Sequence, residues 1–183
     1  ALQEAFDGLV KNEPSVIVKD GFWVEDIEDI VYTGKALRPE VKVYDSKTLL
    51  SLNKDYTLTY KNNTNAGTAT IVIKGKGNYA DSVEKTFRIL KKDLRDEDIA
   101  VSIPAVTVSK NGKPVMPNPE VIRDGVKLKL HKDYVIVAQT GRYTTPGIYE
   151  VEVKAADSGN YTGSRKAEFI VASADQILMS KVK

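Results

Sequence analysis

Residues 61–79 read KNNTNAGTATIVIKGKGNY, and two structures compete for them. The glycine and lysine content is that of a loop that grips phosphate. The alternation is that of a strand: Ala69, Ile71 and Ile73 fall on one side, Thr68, Thr70 and Lys74 on the other. A phosphate loop needs a strand, a glycine-rich turn, and then a helix whose first amides point at the anion. Here GKGNY is followed by ADSVEKTFRIL, again a strand pattern, and the Walker spacing is missing. The segment therefore reads as sheet and turn, with Gly75-Lys76-Gly77 joining two strands.

The same pattern recurs further along. GKALRPEVKVYDSKTLLSLNKDYTLTY (34–60) aligns with GKPVMPNPEVIRDGVKLKLHKDYVIVA (112–138) at an offset of 78. Gly34, Pro39, Val43, Leu50 and Leu52 meet Gly112, Pro117, Val121, Leu128 and Leu130, and Lys54-Asp55-Tyr56 meets Lys132-Asp133-Tyr134. The offset slips to 80, where Gly67, Ile71 and Ile73 meet Gly147, Val151 and Val153. It then slips to 82, where Gly77-Asn78-Tyr79 meets Gly159-Asn160-Tyr161 and Phe87 meets Phe169. Such slips are what loop insertions between matched strands produce. Two copies result, 15–90 and 91–172, each large enough for its own core.

Within each copy, short runs of period two are punctuated by glycine, asparagine and proline. These are half-buried antiparallel strands, and no helix is expected inside either copy. Asn111-Gly112 is a tight-hairpin signal. The ends differ. In the N-terminal segment 1–14, Leu2, Phe6 and Leu9 have helical spacing, and Ser173 to Gln176 match a capping box at the head of the tail 173–183. Both read as frayed ends of neighbouring elements.

Composition narrows the class. Of 183 residues 42% are hydrophobic and 28% charged, as in a folded soluble domain. The net charge of +2 is spread out, with no basic block to meet nucleic acid. The absence of cysteine removes disulfides, thiolate metal sites and cysteine nucleophiles. No apolar run approaches a membrane span. ALQEAFDGLV has neither the basic start nor the apolar core of a signal peptide, and no initiator Met, so the chain reads as a processed product or an excised fragment.

The motif set Tyr-Thr-Gly-Lys (32–35), Asp-Tyr (55–56), Asn-Ala-Gly-Thr (65–68), Gly-Asn-Tyr (77–79) and a last strand containing Phe87 resembles the bacterial immunoglobulin-like repeats of large secreted and surface proteins of Gram-positive bacteria. Copy two is a divergent echo, with SKNGKPV for the first motif and TTPGIY for the third. The resemblance leaves out 1–14 and 173–183. It implies an all-β fold, two tandem immunoglobulin-like antiparallel β-sandwich domains in an extended arrangement, outside the cell or on its surface. The implied role is a non-catalytic structural or spacer module, monomeric, with adhesion as a further role and the neighbouring domains of its parent as its first partners. It implies no catalytic residue, no cofactor and no membrane insertion. Two alternatives stay open: a module that binds carbohydrate or a host protein, and an accessory domain of a larger secreted enzyme.

Single residues are weighed on the same footing. His131, the one histidine, stands where copy one has Asn53, with no acid or nucleophile placed beside it, and reads as non-catalytic. The acidic runs VEDIEDI (24–30) and DLRDEDI (93–99) read as charge-mixed linkers, with calcium as the rival reading. LKKDLRDED (90–98) reads as a semi-rigid hinge. Trp23 reads as core or interface, with a sugar platform as the rival. Tyr56 and Tyr134 are expected to bury their rings and bond their hydroxyls to backbone, and Tyr149 to form a tyrosine corner that Ala69 cannot share. Asn62-Asn63-Thr64 and Asn160-Tyr161-Thr162 fit the glycosylation sequon but read as turns. The copy-specific loops 123–128 and 138–147 are the candidate binding surfaces.

Overall fold

The computed structural model describes residues 15–16, 22–108, 113–138 and 143–173. The chain divides into two units, Ala1–Leu90 and Lys91–Lys183. Among the described residues the protein is all-β, with no helix. The helical spacing at Leu2, Phe6 and Leu9, the capping box after Ser173, and the Asn111-Gly112 hairpin lie outside them.

Unit one contains β1 (Ser15–Val16), β2 (Phe22–Val24), β3 (Ile30–Val31), β4 (Val43–Asp45), β5 (Thr48–Leu49), β6 (Tyr56–Lys61), β7 (Gly67–Gly75), β8 (Tyr79–Ala80) and β9 (Ser82–Leu90). Unit two contains β10 (Lys92–Asp93), β11 (Ile99–Ser102), β12 (Val106–Thr107), β13 (Glu120–Arg123), β14 (Val126–Lys127), β15 (Tyr134–Val137), β16 (Gly147–Ala155), β17 (Tyr161–Thr162) and β18 (Ser164–Ala172). The two sets correspond strand for strand. Unit one pairs as β2-β4-β5, β3-β9-β7-β6 and β1-β8; unit two pairs as β11-β13-β14, β12-β18-β16-β15 and β10-β17.

Alternation explains the core. In β7, Ala69, Ile71 and Ile73 are fully buried, while Thr68 and Lys74 are exposed. These residues pack with Phe87 and Ile89 of β9 and Tyr56 of β6. From the three-stranded sheet and the segments beside it come Val24, Val41, Val43 and Leu50, so the core lies between two sheets. The repeat-matched residues of unit two, Val121, Leu128, Tyr134, Val151, Val153, Phe169 and Val171, are buried in the same way. Full burial of one such side chain contributes about 1.5–3 kcal/mol, which is why these positions set the strand register.

The expected antiparallel pairing joins the long strands β6, β7 and β9 and their counterparts β15, β16 and β18, but short parallel pairings stand beside it. β3 pairs with β9 in parallel, and so do β1 with β8, β12 with β18, and β10 with β17. Parallel neighbours cannot be joined by a hairpin; the chain traverses most of a unit between β3 and β9, and that excursion supplies the crossover. The run 90–98, read from its charges as a hinge, is in part regular structure. β9 ends at Leu90 and β10 begins at Lys92. Lys92 N–H donates to Asn160 O at 3.0 Å, Leu94 N–H donates to Thr162 O at 2.9 Å, and Leu94 is fully buried, so this run is built into unit two. An apolar leucine among charges anchors what the charge pattern alone reads as linker.

The turns repeat too. Asn53 and His131 both take left-handed backbone, at φ 68° and 64°, and each amide donates to the carbonyl of the tyrosine three residues on, Tyr56 or Tyr134, at 2.7 Å. Asp55 and Asp133 each accept a backbone N–H four residues upstream, from Ser51 at 2.7 Å and Lys129 at 2.8 Å. Gly77 (φ 68°) turns the chain after β7, as the opening stretch requires. Asp124 and Gly125, at φ 47° and 76°, form the tight β13–β14 turn, the geometry that Asp-Gly favours.

Candidate functional site

Trp23 stands on the outer side of the β2-β4-β5 sheet and is 46% exposed, which removes the core half of its reading as core or interface. The reason is strand parity. Val24 points into the core, so its neighbours Trp23 and Glu25 point out. Directly opposite on β4 is Tyr44, and the two rings stack at 4.2 Å with 6° between their planes. Opposite Tyr44 on β5 is Leu49, 55% exposed, so a row of Trp, Tyr and Leu crosses all three strands.

Both rings are held. Trp23 Nε1–H donates to Ser46 O at 3.1 Å, and Tyr44 O–H donates to Glu25 Oε1 at 3.1 Å. Lys42 Nζ lies 3.4 Å from Glu25 Oε2, and that carboxylate raises the lysine pKa above its ordinary value. Desolvation, then the bond to Glu25, raises the Tyr44 phenol. Past Leu49 and Lys42 a groove of about 330 Å³ runs on between Arg38, Glu40, Leu52 and Tyr60. Tyr60 O–H donates to Pro39 O at 2.8 Å and fixes its wall.

Unit two keeps this scaffold and drops the rings. Ala100 pairs with Ile122, and Ile122 with Lys127, at the positions of Trp23, Tyr44 and Leu49. Lys127 there forms an ion pair with Glu120.

The other singled-out residues resolve into structure. His131 is exposed in its turn. Tyr56 O–H donates to Val41 O at 2.8 Å and Tyr134 O–H to Pro119 O at 2.9 Å, both buried, as expected. Tyr149 O–H donates to Thr145 O at 3.0 Å, the bond back to upstream backbone that a tyrosine corner makes. Sequence reasoning missed Tyr143, which is 2% exposed and meets Tyr149 and Phe169 edge-on at 5.2 and 5.1 Å. The available signal was its place in the repeat. Val115 N–H donates to Tyr143 O as Leu37 N–H does to Asn63 O, so Tyr143 stands where copy one has Asn63. Asn63 Nδ2 itself donates to Leu37 O at 2.7 Å, and Asn160 O accepts from Lys92, so both sequons lie in bonded turns. The loop 123–128 is the β13–β14 hairpin; of 138–147, residues 139–142 lie outside the described residues.

The acidic runs are dispersed by ion pairs. Asp26 pairs with Lys85 at 3.1 Å, and Asp96 and Asp98 share Lys92, each at 2.8 Å. Asp93 is bound by Arg95 at 2.6 Å. The Arg95 hydrogen bonds hold the Asp93 carboxyl at about 2. Among the described residues no group of three or more His, Cys, Asp or Glu side chains is placed to hold a metal ion. The chain matches no family model and no curated protein.

Proposed function

We propose that each unit is an immunoglobulin-like sandwich, and that the chain is a tandem pair of non-catalytic spacer modules from an extracellular or cell-surface multi-repeat protein. The observation that supports this reading is the duplication of the framework. Strand order, register, the buried tyrosine bond and the aspartate turn recur in both units. What the copies share is scaffold; surface residues differ, as Trp23 against Ala100 illustrates, and so does part of the core, as Tyr143 against Asn63 does. Repeated small modules that each complete a core build arrays whose length grows by addition, the property a spacer needs. In this reading the chain is monomeric and its first partners are the neighbouring domains of its parent. Small-angle scattering of the purified chain tests it: an elongated monomer is expected, and a compact particle overturns the spacer role.

A further inference from the structure

We propose that the Trp23–Tyr44 pair, with Leu49 and the groove beyond it, is a binding face for a neutral polysaccharide. This goes beyond the spacer reading and does not depend on it.

Three observations carry it. First, the rings are not needed by the fold. The equivalent strands of unit two pair in the same register with Ala100 and Ile122 in their place. Cross-strand stacking stabilises a sheet, but that role does not demand a tryptophan 46% open to water. Second, the rings are preorganised. Ser46 O fixes the indole and Glu25 fixes the phenol, so a ligand stacking on the indole finds it already ordered. Third, the surroundings match one chemistry. A pyranose presents an apolar C–H face and a rim of hydroxyls; here an open indole face adjoins the Glu25–Lys42 pair and a groove carrying Arg38 and Glu40. Two acids and two bases donate and accept without net charge, which suits a neutral sugar over an anionic one. Lys42 and Leu49 also line the groove, which gives room for further sugar units beyond the stacked rings.

Trp23 is the one tryptophan of the chain, so its fluorescence reads this face alone. The probes are hydroxyethylcellulose, xylan, galactomannan and laminarin, with polygalacturonate as the anionic arm and gelatin as the protein arm. Each is titrated against the intact chain, with affinity gel electrophoresis in parallel. The expected result is a blue-shifted, altered emission and a retarded band with at least one neutral glycan, and a loss of retardation of tenfold or more in Trp23→Ala. Unit two carries alanine at this position, so Trp23→Ala is expected to fold, and an unchanged circular dichroism melt verifies it. The double variant Trp23→Ala with Tyr44→Ile, which reproduces the unit-two residues, gives the same loss. No response to any of the four neutral glycans overturns the proposal. So does a response confined to polygalacturonate or gelatin, or retardation that Trp23→Ala leaves intact. Scattering that shows a compact particle would end the spacer reading without touching this result.

Discussion

Tyr56 and Tyr134 make the same bond 78 positions apart, from a buried hydroxyl to the carbonyl 15 residues upstream. Tyr→Phe at either position keeps the ring and strands a buried acceptor, which costs about 1–3 kcal/mol. Urea unfolding of Tyr56→Phe and Tyr134→Phe is expected to show similar losses; a loss in one copy only would mean that the bonds are not equivalent. Glycines give a second contrast. Gly163 and Gly125 share φ 76°, but a Cβ at Gly163 would meet Asp93 Oδ1 at 2.5 Å, whereas at Gly125 it would meet open space. Gly125→Ala is expected to cost roughly 1 kcal/mol from backbone strain, and Gly163→Ala measurably more, in the same assay. At this scale the sequence was informative where residue type fixes geometry: the Asp-Tyr pairs, Gly77, and the hydroxyl of Tyr149. It left Trp23 between core, interface and a sugar platform, because a short strand of three residues carries too little alternation to say which face is buried.

At the scale of elements, β10 and the turn after it show what local pattern conceals. Residues 93–99 carry the charges of a linker, yet Leu94 and Ile99 are buried and the acids are clamped by Lys92, Arg95 and Arg123. The parallel pairings β1–β8 and β10–β17 join strands distant in the chain, and nothing in the local alternation encodes such partners. The long strands β7, β9, β16 and β18 were legible because nine residues of alternation leave one register. The clamp also predicts a pH response. Arg95 lowers Asp93 from 3.8 to about 2, and the bond from Lys92 lowers Asp98. A depressed carboxyl stabilises the fold above its unfolded pKa and loses that contribution as pH falls through its folded pKa. Stability owed to Asp93 is therefore complete above about pH 4 and is lost towards pH 2. Arg95 is largely exposed, so solvent screening keeps the effect small. Urea midpoints of the parent and Asp93→Asn are expected to differ at pH 5 and to converge near pH 2; a constant gap would assign the loss to something other than this ionisation.

At the scale of the molecule, the repeat is the organising fact. Aligned residues such as Val43 and Val121, Ile73 and Val153, and Phe87 and Phe169 are buried in matched positions, and among the described residues nine strands answer nine in pairing and order. The proposed spacer role requires more than likeness: each unit must complete its own core. The sequence pointed to this through copy lengths of some 80 residues, and the separate burial of Ile71 and Val151 within their own sheets supports it. The most direct measurement is the amide NMR spectrum of Ala1–Leu90 and of Lys91–Lys183, each expressed alone. Both halves are expected to give the dispersed resonances of a folded β-protein, with slow-exchanging amides in β7 and β16. A collapsed spectrum from either half would contradict the spacer role, because a unit that needs its neighbour to fold is not a repeating module.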